Sequence, residues 1–354
     1  MEKEKSNKTQ WIVIGLLGLL IVVCIVGAGG AWWLYKRPLG TALNTPSRSV
    51  LVATPTTAAV VPETPAPTST PAAVNPVAPT PTNTPAGVCG ETAVWNILVL
   101  GSDAEDLWYP QGADLTRVVR VDFLNKTTSI FSFSRDLWVD VNPLDFTNPD
   151  IESAKLGIVY NEARMRSTKS DPDDIDLDGI NAMAESLAVN FNLYNDHYIA
   201  LDLDQFPAMI DAVGGLPMNI PTGFTDPLSG MVFTAGAQTL NGLQTANYAR
   251  AFLDTDLNRI PRNDLVVEAL RQKLLDPAVW VRIPDLFLKY EDAINTDFSP
   301  EQVNHLTCLL KEVPAASIIQ DGVKAEWTSP GPEDSLLWDR TKVLDRLREL
   351  GMIP

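Results

Sequence analysis

The chain has 354 residues and a formal net charge of −17, and 45% of its residues are hydrophobic. This length allows one large domain or two small ones, and the apolar residues after position 90 are numerous enough for a core. The negative charge argues against general nucleic-acid binding, which requires clustered basic surface. We therefore expect no nucleic-acid partner.

The N-terminal part of the chain predicts a membrane anchor. Residues 11–35 form one apolar run without a charged side chain and end in three aromatic residues. At about 1.5 Å per residue this run can cross a hydrocarbon core of about 30 Å, and aromatic rings favour the membrane interface. A cleaved signal peptide is the alternative, because residues 28–31 are small. We expect a transmembrane helix over 11–35 in the cell membrane, with residues 1–10 cytoplasmic and the rest extracytoplasmic.

Residues 36–90 are rich in Pro, Thr and Ala. Repeated Thr-Pro steps disfavour a helix and supply no periodic apolar face. We expect a disordered linker that acts as an extended stalk, at about 3.1 Å per residue when fully stretched. A spacer of this kind suits a domain that lies outside the cell.

The folded part spans 91–354 and alternates predicted strands with predicted helices. Apolar runs with strand character cover 95–100, 118–123, 128–133 and 198–203. Helical spacing follows at 180–191, 206–213, 240–250, 263–275, 303–310 and 335–350. This alternation predicts an α/β domain with helices on both faces of a sheet. We expect a core over 94–275 and a helical C-terminal extension over 276–354.

The cysteines leave one candidate pair. Cys24 lies inside the apolar run, and Cys89 and Cys308 lie at opposite ends of the folded part. In an oxidising exterior these two can form a disulfide. The alternative is two unpaired buried thiols.

Arginine and aspartate recur in four clusters, and these are the most informative feature of the folded part. The clusters occupy 96–103, 113–114, 134–136 and 248–263. Arginine forks suit bidentate phosphate binding, and aspartate oxygens suit a magnesium ion bound to the same phosphates. In an acidic chain this combination predicts a small, dedicated pyrophosphate site.

The order of these motifs resembles the LytR-CpsA-Psr family. The motifs are Asn-Ile-Leu-Val-Leu-Gly-Ser-Asp (96–103), Ala-Asp-Leu (113–115), Ser-Ile-Phe-Ser-Phe-Ser-Arg-Asp (129–136), Asp-Ala-Val-Gly-Gly-Leu (211–216), Leu-Asn-Gly-Leu-Gln-Thr-Ala-Asn-Tyr-Ala-Arg (240–250) and Asp-Leu-Asn-Arg-Ile-Pro-Arg-Asn (256–263). The resemblance implies a three-layer α-β-α domain with a central mixed sheet. It also implies a magnesium-dependent transfer of a phosphate-linked glycopolymer from a polyprenyl pyrophosphate carrier to a cell-wall glycan.

The resemblance also implies roles for individual residues. Asp103 and Asp114 match the magnesium-binding carboxylates of the family. The matches to its catalytic, phosphate-contacting positions are Arg135, Arg250, Arg259 and the acidic Asp256. Arg262 and Asn263 match a substrate-binding Arg-Gln pair, with asparagine in place of glutamine.

Two arginines of the family pattern are missing. Gly112 stands where an arginine usually precedes the second aspartate motif, and Phe252 stands where the family has the second arginine of Arg-x-Arg. Compensating cations could come from Arg117, Arg120, Arg164 or Arg166. Two further hypotheses therefore stay open: a non-catalytic module that binds polyprenyl phosphates or wall glycans, and a polyprenyl-pyrophosphate hydrolase.

One further pattern has the spacing of a calcium loop. It consists of Asp174, Asp176, Asp178 and Gly179, followed by Glu185. The alternative is an acidic helix N-terminus, where carboxylates interact favourably with the helix dipole. The two histidines, at 197 and 305, are isolated and are expected to be structural.

Overall fold

The computed structural model describes residues 35–44, 87–91, 93–102, 112–141, 144, 151–251, 253, 255–282, 285–286 and 289–354. In chain order the strands are β1 (Val94–Ser102), β2 (Ala113–Asp122), β3 (Thr127–Phe133), β4 (Trp138–Asp140), β5 (Ser153–Lys155), β6 (His197–Asp202), β7 (Leu216–Ile220), β8 (Phe224–Thr225), β9 (Val232–Phe233), β10 (Gly236–Leu240), β11 (Ile294–Thr296), β12 (Ile318–Gly322), β13 (Thr328–Pro330) and β14 (Leu336–Trp338). The α-helices are α1 (Leu156–Arg166), α2 (Pro172–Phe191), α3 (Phe206–Ala212), α4 (Gly242–Arg250), α5 (Arg259–Leu274), α6 (Pro277–Trp280), α7 (Pro300–Glu312) and α8 (Arg340–Glu349).

Six strands form one central mixed sheet in the order β11-β6-β1-β2-β3-β12. Strand β2 pairs antiparallel with β1 and β3, whereas β6 is parallel to β1 and β12 is parallel to β3. The tight turn between β2 and β3 allows their antiparallel pairing, and the parallel pairs are joined by long helical crossovers. The α/β fold with a mixed sheet is thus confirmed.

Alternate residues of β1 point to opposite faces of this sheet, which gives the domain two cores. Leu98 and Leu100 pack with residues of α1, α2 and α8 in the larger core. Trp95 and Ile97 pack with Leu309 of α7 on the other face. Burial on both faces explains why β1 is almost continuously hydrophobic.

A second group of elements packs beside the α7 face. Strands β7 and β10 pair antiparallel, and they share a core with α3, α4 and α5. At its N-terminus α4 has a capping box formed by Asn241 and Gln244. A Cβ atom at Gly242 would lie 1.9 Å from the carbonyl oxygen of Pro207, so only glycine allows α4 to approach α3 this closely.

The C-terminal part of the domain corrects one prediction. Residues 276–354 were expected to be a helical extension on a core of 94–275, but they supply both edge strands of the central sheet, β11 and β12. Each of these strands is short, and Gly322 is the only fully buried residue of β12. A short strand at a sheet edge carries little hydrophobic periodicity, which explains why the pattern was missed.

Residues 35–44, the last residue of the predicted span and the first nine of the predicted linker, lie along the edge of the domain. The contacts are Asn304 Nδ2 to Tyr35 Oη at 2.8 Å, Lys36 Nζ to Glu301 Oε1 at 3.3 Å, Leu39 N to Phe298 O at 3.0 Å, Tyr198 Oη to Thr41 O at 3.2 Å and Asn44 N to Asn181 Oδ1 at 2.8 Å. An extended stalk therefore does not begin directly after residue 35.

The remainder of the N-terminal region lies outside the described residues. This applies to the predicted tail and nearly all of the predicted span, over 1–34, and to the linker residues 45–86. Among the helices that the structure describes, none is both long and apolar enough to cross a membrane.

The structure contains a disulfide between Cys89 and Cys308, with a Cα–Cα distance of 5.7 Å. It attaches the chain just before β1 to α7, the helix whose Glu301 and Asn304 also contact residues 35–36. Helix α7 therefore fixes the chain on both sides of the segment 45–86.

Removing this disulfide should destabilise the domain, because its two cysteines are separated by 219 residues. In the chain-entropy model a loop of this length gives a stabilisation of up to about 5 kcal/mol. We expect the Cys89→Ser/Cys308→Ser double variant to lower the midpoint of denaturant unfolding, and Cys24→Ser to serve as the unchanged control. The disulfide would have no such role if the midpoint of denaturant unfolding were the same for the oxidised wild type, the reduced wild type and the double variant.

Candidate functional site

Asp114 is positioned by a β-bulge at the start of β2. Gly101 pairs with Leu115 and Ser102 pairs with Ala113, so Asp114 is the extra residue between two consecutive pairs. A bulge changes the direction of a side chain relative to the regular alternation, and bulges are frequent beside active sites. The Asp114 side chain is only 8% exposed and lines the cavity described below.

Ser134, Arg135 and Asp136 follow directly after β3, which is adjacent to β2 in the sheet. The end of β3 therefore lies beside the start of β2, because these strands run antiparallel. The Ser134 hydroxyl donates to Asp256 Oδ2 at 2.6 Å, and the Arg135 backbone N–H approaches the same oxygen at 3.3 Å. These bonds hold the Arg135 loop against a different segment of the chain.

Asp256 and Arg259 come from the turn that begins α5. Asp256 opens a 3-10 turn over Asp256–Asn258, and Arg259 is the first residue of the helix. This spacing places the two side chains on one face, where Arg259 Nη1 donates to Asp256 Oδ1 at 3.0 Å. Both residues are buried.

The four charged side chains form one network. Arg135 Nη1 donates to Asp114 Oδ1, while Arg259 Nη2 lies 3.5 Å from Asp114 Oδ2. Arg135 Nε lies 3.7 Å from Asp256 Oδ1. Burial opposes the ionisation of Arg135, but the carboxylates of Asp114 and Asp256 outweigh it and raise the pKa of the guanidinium. Each arginine thus lies beside two carboxylates.

This network lies at one end of an apolar cavity of about 260 Å³ between the sheet and helices α4 and α5. The cavity wall contains Asp114, Arg250, Arg259 and Asn263 together with mostly aliphatic side chains. A second cavity of about 350 Å³ shares four lining residues with it: Val119, Ile130, Val267 and Leu270. The two cavities therefore lie side by side, and together, as the apolar groove, they extend from the charged network toward α7.

The structure brings most of the predicted site residues together. Arg250, the last residue of α4, lines the cavity, and its Nη2 atom lies 3.8 Å from Asp204 Oδ1. Asn263 lines the cavity and the smaller space beside Asp256. Asp103 lies outside the described residues.

Arg262 has a different place from the one predicted. Its Nη2 atom donates to the carbonyl of Ala251, just after α4, and its guanidinium lies 5.6 Å from the centroid of the Phe224 ring. These contacts place Arg262 in the packing between α5 and the β8–β9 hairpin. The prediction that Arg262 contacts substrate therefore receives no support from its geometry.

A comparison with known protein families identifies the fold. A model of the LytR_cpsA_psr family matches residues 70–336. The chain belongs to the LytR-CpsA-Psr family.

The curated relatives of this LytR-CpsA-Psr chain are distant. The regulatory protein MsrR of Staphylococcus aureus (strain COL) is 25% identical over 206 residues, which cover 57% of this chain and 56% of MsrR. The polyisoprenyl-teichoic acid–peptidoglycan teichoic acid transferase TagU of Enterococcus faecalis is 25% identical over 210 residues, 58% of this chain and 62% of TagU. The chain thus spans less than two thirds of the length of these relatives.

Solved structures show the same fold. Bacillus subtilis TagV superposes with a TM-score of 0.59 at 20% identity and covers 75% of this chain and 99% of TagV. The chain solved as TagT bound to LIIa-WTA superposes with a TM-score of 0.54 at 15% identity, covering 72% of this chain and 90% of TagT.

The first departure from the LytR-CpsA-Psr pattern has a steric cause in this chain. A Cβ atom at Gly112 would lie 1.5 Å from the carbonyl oxygen of Gly157 in α1. A Cβ atom at Gly157 would in turn lie 2.8 Å from Cβ of Arg135. The start of β2, the start of α1 and the Arg135 loop therefore pack too closely for any side chain at position 112.

Sequence reasoning missed two contributors to the site. Ser134 holds the buried Asp256, and Lys155 lies 3.7 Å from Asp136 at the start of α1. Burial, followed by repulsion from Asp256, raises the pKa of the Asp136 carboxyl. Ser134 directly precedes Arg135, so its position beside a charged motif was the available signal. Lys155 is the N-cap of α1, and because α1 has almost no amphipathic pattern, the sequence did not indicate where this helix begins.

The structure also decides the calcium hypothesis. The segment 174–185 lies inside the continuous helix α2, which Asp171 caps by accepting from the backbone N–H of Asp173. A calcium loop requires a turn rather than helical backbone, so the structure supports the alternative, an acidic helix N-terminus. His197 binds Asp297 and Gln302 between β6 and α7, as expected of a structural histidine.

Restoring an arginine at position 112 should damage the fold instead of improving the site. Gly112→Ala and Gly112→Arg must both displace the backbone of α1, at a cost of about 1–3 kcal/mol or more. We expect a lower thermal unfolding midpoint for Gly112→Ala and little folded protein for Gly112→Arg. A Gly112→Arg variant with an unchanged midpoint would contradict the close packing of these segments.

Proposed function

We propose that this protein transfers a phosphate-linked glycopolymer from a polyprenyl pyrophosphate carrier to a hydroxyl group of a cell-wall glycan. The observation that carries the proposal is the position of the arginine and aspartate network at the end of an apolar groove. Such a site matches a ligand with a doubly charged head and a long hydrocarbon tail.

The pyrophosphate would bind at Arg135, Arg250 and Arg259. Arg135 is 32% exposed and Arg250 is 40% exposed, so both can reach a ligand, whereas Arg259 is held deeper at 7%. The Nε atom of Arg259 has no hydrogen-bond acceptor in the part of the chain that the structure describes. Phosphate oxygens are suitable acceptors, because guanidinium groups bind them in bidentate geometry.

The polyprenyl tail would lie in the groove between the sheet and α5. The four residues shared by its two cavities are aliphatic, and the cavity walls are mainly Val, Leu and Ile. Removing a polyprenyl chain from water in this groove is favourable by about 25 cal/mol per Å² of apolar surface. TagU of E. faecalis, as its name states, uses a polyisoprenyl-linked teichoic acid, which supports a carrier of this class.

In the proposed reaction a glycan hydroxyl attacks the phosphorus that carries the glycopolymer. A new P–O bond forms, the bridging P–O bond of the pyrophosphate breaks, and the hydroxyl proton leaves to solvent or to a nearby base. The glycopolymer phosphate is then joined to the glycan, and polyprenyl phosphate is released. The arginines stabilise the charge on the phosphoryl oxygens, which is the main task of a protein in phosphoryl transfer.

Asp114, with Asp103, would hold a magnesium ion that neutralises the same phosphates. Magnesium usually binds through one or two carboxylates and the phosphate oxygens of the substrate, so Asp114 on the cavity wall fits this use. Among the described residues, which do not include Asp103, no group of three or more His, Cys, Asp or Glu side chains is placed to hold a metal ion. In this arrangement the two arginines would turn from Asp114 to the phosphates.

We further propose that the domain works at the outer surface of the cell membrane. Residues 36–44 directly follow the predicted membrane span, and together with Tyr35 they contact α7 and the segment between β11 and α7. This contact would hold the domain close to the bilayer in which a polyprenyl carrier resides.

A weaker enzyme or a binding module is the second candidate. The close packing at Gly112 removes one cation that the family pattern places beside the pyrophosphate. The binding module predicts that the protein binds polyprenyl pyrophosphates without transferring the polymer, whereas the weaker enzyme predicts slow transfer.

Arg135→Ala should reduce transfer by about 10²–10³-fold, because it removes a charged contact made to the phosphoryl oxygens. The assay supplies a polyprenyl-pyrophosphate oligosaccharide and an acceptor glycan, and it measures labelled glycan and released polyprenyl phosphate. Arg348→Ala is the matched control, since Arg348 is an exposed residue of α8 that pairs with Asp345. Equal rates for wild type and Arg135→Ala would exclude the assigned role.

The same assay separates the candidate functions. Polyprenyl phosphate release without acceptor glycan would indicate a hydrolase, and binding without any release would indicate a binding module.

Transfer should depend on magnesium through Asp114. Chelation should abolish turnover and added magnesium should restore it. Asp114→Asn should raise the magnesium concentration needed for half-maximal rate, because an amide is a weaker ligand than a carboxylate. Full turnover in the presence of chelator would exclude this function of Asp114.

A further inference from the structure

Arg117 is a buried cation in the apolar groove, and neither the network above nor the family pattern accounts for it. It lies on β2 three residues after Asp114, which is about 10 Å farther along an extended strand. Its side chain is 2% exposed and lines both the main cavity and the smaller space beside Asp256. The neighbours on that wall include Val99, Val119 and Ile130.

In the part of the chain that the structure describes, Arg117 forms an ion pair with Asp264 of α5 alone. Arg117 Nη1 lies 2.8 Å from Asp264 Oδ1, but the contact is not aligned as a hydrogen bond. The Nε and Nη2 atoms also have no acceptor among the described residues. Burial lowers the pKa of Arg117, and the Asp264 carboxylate offsets this only in part.

A buried charge of this kind is costly unless it has a full set of partners. Arg259 faces both of the same cavities, and its Nε atom also lacks an acceptor among the described residues. The guanidinium groups of Arg117 and Arg259 therefore both border the main cavity, and each has N–H groups without an acceptor among the described residues.

We propose that Arg117 binds the lipid-bearing phosphate of the polyprenyl carrier, one layer deeper than Arg135. The inference rests on the proposed function. Arg117 is then a substrate-binding residue that selects a polyprenyl phosphate over an uncharged polyprenyl lipid, and Asp264 neutralises it while the groove is empty. Arg117 thus provides a cation from strand β2, whereas position 112 has no room for a side chain.

The test measures binding of polyprenyl monophosphate, of polyprenol of the same chain length and of inorganic phosphate to the full chain in detergent, by titration calorimetry. We expect wild type to bind the monophosphate at least about 10-fold more tightly than polyprenol, as a charged hydrogen bond allows. Arg117→Met should lose about 10-fold or more of the monophosphate affinity and keep the polyprenol affinity. Arg348→Ala should match wild type, because Arg348 is an exposed residue of α8 that pairs with Asp345.

A second variant guards against misfolding of the first. Arg117→Met/Asp264→Leu removes both charges, and exchanging a buried ion pair for apolar residues is often neutral or stabilising. This double variant should unfold at a temperature near that of wild type and still discriminate poorly between monophosphate and polyprenol.

Monophosphate affinity equal to wild type in both Arg117 variants would overturn the inference. Equal losses for monophosphate and polyprenol would also overturn it, because Arg117 would then only shape the groove. If wild type binds neither lipid, the proposed function fails as well. Inorganic phosphate alone should bind weakly, and phosphate binding as tight as that of the monophosphate would contradict a lipid ligand.

Discussion

The site depends on the pairing of two buried carboxylates with two arginines. Asp114 and Asp256 come from the bulge in β2 and from the turn before α5, and both contact Arg135 and Arg259. The network therefore joins three distant stretches of the chain at one edge of the groove. Removing one member of a buried ion pair costs several kcal/mol, so the same contacts that prepare the site also hold the sheet and α5 in place.

Close backbone contacts determine the shape around this network. Gly112 against Gly157 brings α1 next to the Arg135 loop, and Gly242 against Pro207 brings α4 next to α3. Because α4 carries Arg250 at its last position, the second contact also sets one wall of the cavity. The first contact excludes a side chain at position 112, and the buried Arg117 places a cation deeper in the groove.

Local sequence patterns predicted the parts of the fold that have strong periodicity. The buried strand β1 and the capped helix α4 were predicted within a few residues. Arg250 and Arg259 border one cavity, and Arg135 pairs with Asp114 on the wall of that cavity. Strands β11 and β12 were missed because short edge strands have no long apolar pattern. The place of Arg262 could not be predicted, since whether a helical arginine faces a cavity or a neighbouring hairpin depends on tertiary packing. The bulge at Asp114 likewise depends on register, which spacing alone does not define.

The most direct test of the account is an experimental structure of the protein with a polyprenyl pyrophosphate bound. The account predicts phosphate oxygens within hydrogen-bond distance of Arg135 and Arg259, with the first isoprene units between β2 and α5. Pyrophosphate on another surface, or a tail that lies outside this groove, would contradict it.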